Sequence, residues 1–444
     1  MKLKMVCIMA FLALALPLMA LRAEAGEIDV LVNKLVEKNI LTSHEAQILL
    51  AQAKEEAAKD LAKGEAVTAP AWTQNIKIKG DARFRTQVDW GKGLGPAHER
   101  IRNRVRARLG VEGKVNQEVT AGMFLVTGEG DPRSTNQTLD DEFETKDIRL
   151  DAYYIKWDPR LDKGIGKAAL WLGKFQNPLE TSELLWDTDI CPGGVAGQYM
   201  SPNFELGEVG ANLYANTALL WLDEISTSQR DPMMWVTQAG LNMDIIKDWE
   251  AVLNMGIAYY DLANVKGNQS ANLAEWSAGT NTRWGGALGN TYRYDFNMVD
   301  LLIRYDSKRL FDLKLGHGLY SDLIWNTGPS SKNFASQFGG YIGDKKLKDP
   351  GQWKLWGEWR YIERDAVPDF MPDSDFYGFT SRGVPEGGGT NSRGLNCGIE
   401  YAILKNTVLS AEYYYMVPLD INESLSNDYD EPYQLLQLDV KVKF

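Results

Sequence analysis

PYQLLQLDVKVKF, residues Pro432 to Phe444, is the stretch whose reading decides the fold. Leu436, Leu438, Val440, Val442 and Phe444 fall on one side of an extended chain, and Gln437, Asp439, Lys441 and Lys443 on the other. Side chains alternate with a period of two along a strand, so the segment separates an apolar surface from a charged one. It ends on an aromatic residue. The pattern reads as the closing strand of an outer-membrane β-barrel, with lipid outside and water inside.

The same alternation recurs upstream. In the first strand Ile76, Ile78, Ala82, Phe84 and Val88 face outward, while Lys77, Lys79, Asp81, Arg83, Arg85 and Gln87 face the lumen. In the second, Ile101, Val105, Ala107 and Leu109 oppose Arg102, Arg104, Arg106 and Arg108. Four arginines on one face are too costly for lipid. Trp353, Leu355, Trp359 and Tyr361 oppose Lys354, Glu358 and Arg360 further on, and Leu409, Ala411, Tyr413 and Tyr415 oppose Ser410 and Glu412.

Such segments number about sixteen, with short and long connections in alternation. A soluble sandwich also has alternating strands. Strands of roughly ten to fifteen residues, against the usual five or six, argue for the barrel, as do the alternating connections and a chain that stops on its last strand. Trp90, Trp157, Trp221, Trp235 and Trp353 near strand ends suit interfacial girdles.

The opening residues differ. Lys2 and Lys4, an apolar run from Val6 to Leu21, and Ala23-Glu24-Ala25 read as a removed secretory signal over residues 1–25. No second apolar run of that length follows, so the remaining chain enters a membrane only as a closed barrel, which satisfies every backbone polar group internally. Residues 26–63 carry helical spacing, with Ile28, Leu31, Leu35, Ala46, Leu49 and Ala53 on a stripe and Thr42 with Glu45 as a capping box. Two helices are expected, joined near residues 39–43. They fit a periplasmic coiled-coil or cell-wall contact, or a helical pair packed under the barrel. Residues 64–72 form a linker, and the barrel covers 73–444.

Composition removes several function classes. The formal charge is −12, and loss of Lys2, Lys4 and Arg22 with only Glu24 makes it more negative. That balance disfavours a nucleic-acid partner. Only Cys191 and Cys397 follow the signal, with no CxxC motif for zinc or c-type haem. Three histidines occur, and His317 with Ser321 is the nearest approach to a hydrolase constellation, so no enzyme and no catalytic residue is assigned. Asp140, Asp141 and Glu142, and Asp373 with Asp375, are oxygen-rich but lack an ordered calcium loop, so no metal and no cofactor is assigned. Gly387-Gly388-Gly389 reads as a flexible stretch.

A sixteen-stranded lumen is wide enough for water, so function depends on what narrows it. The third long connection, residues 177–195, carries Glu180, Glu183, Asp187 and Asp189 before Pro192-Gly193-Gly194. Folded inward, these carboxylates are expected to face Arg83, Arg85, Arg102, Arg104, Arg106 and Arg108, with Lys77 and Lys79 on the same wall. Opposed rows of charge produce a transverse field that favours small polar solutes.

Several stretches together, LVNKLVEKNILTSHEAQ, IKIKGDARFRTQ, ERIRNRVRARLGVEGKV, GKFQNP before LLWDTDICPGGVAGQY, WKLWGEWRYIERDAVPDFMPDSDF and LQLDVKVKF, resemble the putative porin family of Gram-negative bacteria. The resemblance implies an all-β transmembrane barrel and a passive diffusion channel in outer-membrane lipid, with a homotrimer as one assembly it allows. It also implies that the connection after the fifth strand is the constriction. It names no solute. A non-conducting structural or scaffold barrel, tethering the outer membrane through its helices, is the alternative.

Overall fold

The computed structural model describes residues 75–91, 99–162, 164–268, 277–284, 291–422 and 432–444, together with Thr42 and Ala46. The chain divides into two compact units, Met1–Gln74 and Asn75–Phe444. In the first, Ala46 is helical and its N–H donates to the Thr42 carbonyl at 3.0 Å. The expected signal, the remainder of the helical pair, the linker over residues 64–72 and the first two residues assigned to the barrel lie outside the described residues.

Among the described residues the second unit is a sheet of sixteen long strands closed on itself. In chain order they are β1 (Ile76–Trp90), β2 (Glu99–Lys114), β3 (Val119–Thr127), β4 (Ile148–Trp157), β5 (Lys167–Lys174), β6 (Gly193–Met200), β7 (Val209–Trp221) and β8 (Met233–Ile246). There follow β9 (Ala251–Ala263), β10 (Asn297–Ser307), β11 (His317–Asn326), β12 (Phe334–Gly343), β13 (Trp353–Ile362), β14 (Ser392–Leu404), β15 (Thr407–Pro418) and β16 (Tyr433–Lys443). Each pairs antiparallel with the next, and β16 pairs with β1 from Asp81↔Lys443 to Trp90↔Gln434. Closure removes the unpaired edge that an open sheet exposes. Phe444 continues the seam, its N–H and C=O each bonded to Gly80 at 3.0 Å.

Connections after even-numbered strands are short and those after odd-numbered strands are mostly long, so the two ends of the barrel differ. The tightest is Lys405-Asn406, where Asn406 takes a left-handed φ of 56° that asparagine tolerates. The long ends include residues 175–192 after β5, 264–296 after β9 and 363–391 after β13.

The two faces of the wall carry opposite chemistry. Ile78, Ile101, Leu109, Leu213, Leu319, Leu355 and Ile399 are exposed outward, while Arg85, Gln87, Asp89, Gln238, Gln337 and Asp439 are buried inside. That inversion requires an apolar medium outside, because so extensive an apolar surface is not left in water. Trp157, Trp221, Trp235 and Trp353 are exposed near strand ends, as girdle positions would be. Cys397 is also on the outer face, remote in character from the buried Cys191, and both thiols are free.

Candidate functional site

Alternation places every lumen residue expected of β1 and β2 on one wall. Asp81 accepts from Arg106 at 2.8 Å and Arg108 at 2.7 Å, and Asp439 of β16 accepts from Arg85 at 2.7 Å. Arg102 lies 3.5 Å from Asp89 and Lys79 2.9 Å from Glu112. Arg83 lies 3.7 Å from Asp439 and also bonds Asn136, whereas Arg104 donates to the Gln87 amide oxygen at 3.4 Å. Lys77 is exposed near the short-turn end.

The third long connection lies inside the barrel, but its four carboxylates do not act as one row. Asp189 alone meets the β2 arginines, at 3.1 Å from Arg108 and 4.0 Å from Arg106. Glu180 pairs with Arg304 of β10 at 2.7 Å, and Glu183 with Arg360 of β13 at 3.0 Å. Asp187 points into neither wall; its carboxylate accepts the N–H groups of Asp189 at 2.9 Å and Ser374 at 2.8 Å. The expectation of a single opposed row is corrected for a geometric reason. The connection crosses the lumen, so its first half is anchored on the far wall and only its tip returns to β2. Ser182 bonded to Asp322, and the Gln238 amide oxygen bonded to the Glu180 N–H at 2.9 Å, fix that far half.

A second insertion was not expected from the sequence. Residues 363–391 also fold inward, and Asp375 reaches Arg85 at 3.0 Å while Asp373 reaches Arg360 at 2.7 Å. Arg360, 1% exposed, is thereby held by Glu358, Asp373 and Glu183 at once. The two insertions are bound to each other, the Asp187 N–H donating to the Met371 carbonyl at 2.7 Å and the Asp373 N–H to the Glu183 carbonyl at 3.1 Å. Leu184, Leu185, Trp186, Val367, Met371 and Phe376 belong to one buried apolar cluster. The usable signal is a repeated Asp-x-Asp, Asp187-Thr-Asp189 and Asp373-Ser-Asp375. In both, the first carboxylate accepts the N–H of the second aspartate at 2.9 Å, an Asx turn.

Asp373 and Asp375 are therefore ion-pair partners of Arg360 and Arg85. Among the described residues Asp140, Asp141 and Glu144 are the carboxylates close enough to share an ion, and all are exposed. Gly387-Gly388-Gly389 is likewise more than a flexible stretch. Gly388 and Gly389 have φ of +74° and +99°, and a Cβ on Gly389 would sit 2.7 Å from the Thr280 hydroxyl. The glycines let residues 363–391 close against residues 277–284. Asp369, fully buried, cements that contact by accepting from Ser277 and Tyr292 at 2.7 Å and from the Thr280 N–H at 2.8 Å.

Charge environment separates these loop carboxylates. Burial opposes ionisation of Asp375, but Arg85 outweighs it and brings the carboxyl down to about 2. Burial likewise opposes ionisation of Asp369, and Arg283 with the surrounding donors holds it below the usual carboxylate range. Asp187 is pushed the other way, by burial and by Asp373 and Asp189.

Beneath the third connection lies a cavity of about 760 Å³. Lys79 and Arg108 border it on the β1–β2 side, and Glu183, Asp322 and Glu358 on the other. A family model described as putative porin matches residues 94–293 and 294–444. The chain belongs to the putative porin family. No curated protein sequence matches it. Among solved structures, this porin is similar to Pseudomonas putida OprB at high pH, with 10% identity, 87% of this chain and 97% of that one covered, and a TM-score of 0.51. A mutant of the Rh. blastica porin shares 12% identity over 83% of this chain and all of the other, at a TM-score of 0.42. A loop L8 deletion mutant of Vibrio cholerae OmpT shares 10% over the same 83% of this chain and all of its own, also at 0.42. Membership of a porin family makes the chain a channel-type barrel of the outer membrane and points away from an enzyme.

Proposed function

We propose that this porin is a passive diffusion channel for small hydrophilic solutes and ions, restricted where residues 175–192 cross the lumen. The observation that supports this reading best is the position of Asp189 against Arg106 and Arg108, with Glu183 and Asp322 across the cavity. Basic and acidic groups then face each other over a short gap. Such a field orders water and favours dipolar or charged solutes over apolar ones. In this reading Lys77, Lys79, Arg83, Arg85, Arg102, Arg104, Arg106 and Arg108 line the pore, and Glu180, Glu183, Asp187 and Asp189 shape its narrowest part.

Liposome swelling with sugars, amino acids and organic acids measures passage directly. Neutralising Arg104, Arg106 and Arg108 to glutamine is expected to move the reversal potential toward that of the cation, and an unchanged value contradicts their place at the constriction. The joint packing of the third and seventh long connections inside the wall favours one second reading, a sealed scaffold barrel. Absence of swelling with every solute would support that reading instead.

A further inference from the structure

Four basic side chains converge where the fifth, sixth, seventh and eighth long connections meet. Arg283, Arg293, Lys332 and Arg364 line one cavity of about 590 Å³, and among its described lining residues Asp420 is the one carboxylate. Such a concentration stands out on a chain of formal charge −12. It is also built. Arg283 and Arg364 are each 7% exposed. Arg283 is held by Asp369 at 3.5 Å and by the Ser277 hydroxyl, with its Nε buried and without a hydrogen-bond partner. Arg364 donates to the Thr280 carbonyl at 3.4 Å and the Asp420 carbonyl at 2.7 Å.

Among the described residues the charges do not balance. Lys332 and Arg364 share the carboxylate of Asp420. Arg293 has no ion-pair partner among the described residues; its guanidinium lies over the rings of Trp284 at 5.2 Å and Tyr294 at 5.5 Å. Among the described residues Asp369 and Asp420 stand against the four cations, which leaves two positive charges in excess. Asp365, which accepts from Thr282 at 2.7 Å, still leaves one. An excess of guanidinium and ammonium donors fixed around a polar cavity is the arrangement that binds phosphate. The cavity is larger than a phosphate ion, and the exposed face of Trp284 lies beside it for the body of a larger molecule.

We propose that this cavity binds a phosphate group, carried by a phosphorylated solute or by a lipid headgroup. The proposal is independent of whether the lumen conducts. Purified full-length protein in detergent free of lipopolysaccharide is titrated calorimetrically with inorganic phosphate, and separately with monophosphoryl lipid A in mixed micelles. Saturable binding near one per chain is expected, weakened at least tenfold in R293Q/K332Q and strengthened in D420N, which removes the carboxylate of the rim. Both variants alter the loop end of the barrel, and unchanged heat-modifiable migration verifies that they fold. Binding of free phosphate assigns the site to a solute, and binding of lipid A alone assigns it to a headgroup. No saturable binding of either, or equal binding by R293Q/K332Q, overturns the proposal.

Discussion

Asp189 Oδ1 lies 3.1 Å from Arg108 Nη1, which ties the tip of the third long connection to the second strand of the wall. The same carboxylate also accepts from the Thr135 hydroxyl at 3.1 Å, so it joins three elements at one point. D189N removes a negative charge from the proposed constriction and frees Arg108 on that side. The pore is expected to become more anion-preferring. Reversal potential under a potassium chloride gradient checks this, and the shift should be toward the chloride equilibrium value.

Arg360 is the one cation shared by Glu358, Asp373 and Glu183. Replacing it by methionine leaves these carboxylates crowded without compensation inside the barrel. Breaking a buried pair by removing one partner costs roughly 3–5 kcal/mol. R360M is therefore expected to lower the temperature at which the folded barrel loses its fast electrophoretic migration, and R360K to lower it less. Equal stability of R360M and the unaltered protein would contradict the role given to Arg360.

Acid should release the seventh connection late. Asp375 and Asp369 have folded pKa values below their unfolded ones, with Asp375 at about 2. A depressed carboxyl contributes stability above its unfolded pKa of about 4 and loses it as pH falls through the folded value. Residues 363–391 are thus expected to stay docked at pH 4 and to let go near pH 2, seen as a rise in single-channel conductance. D375N, lacking the pair with Arg85, should show the raised conductance already at neutral pH.

Gly389 combines a φ of +99° with a Cβ position 2.7 Å from the Thr280 hydroxyl and 2.8 Å from Ala278 Cβ. G389V brings backbone strain on the order of 1–3 kcal/mol, together with a steric clash. The predicted result is separation of residues 363–391 from residues 277–284 with the wall intact. Limited trypsin digestion should then cut at Arg382 or Arg364 in G389V and spare both in the unaltered protein.

The wall was legible in the sequence because a period of two is a property of the strand itself. Arg83, Arg85, Arg102, Arg104, Arg106 and Arg108 could be assigned a face without knowing what they touch. The insertions were only half legible. Loop residues carry no periodicity, so the acidic content of residues 177–195 pointed inward but not to partners, and Glu180 and Glu183 meet Arg304 and Arg360 instead of the β1–β2 row. Residues 363–391 were missed because their carboxylates resemble any solvated acidic loop until Arg360 and Arg85 are placed opposite them. Partner choice depends on which stretches of wall face each other across the barrel, and that follows from closure, not from local sequence.

Single-channel recording of the purified protein in a planar lipid bilayer tests the central claim most directly. An outward apolar wall around a charged aqueous lumen predicts spontaneous insertion and discrete, ohmic conductance steps in potassium chloride, with unequal permeability to the two ions. A correctly folded barrel that inserts into the bilayer and passes no current at neutral pH would contradict the account.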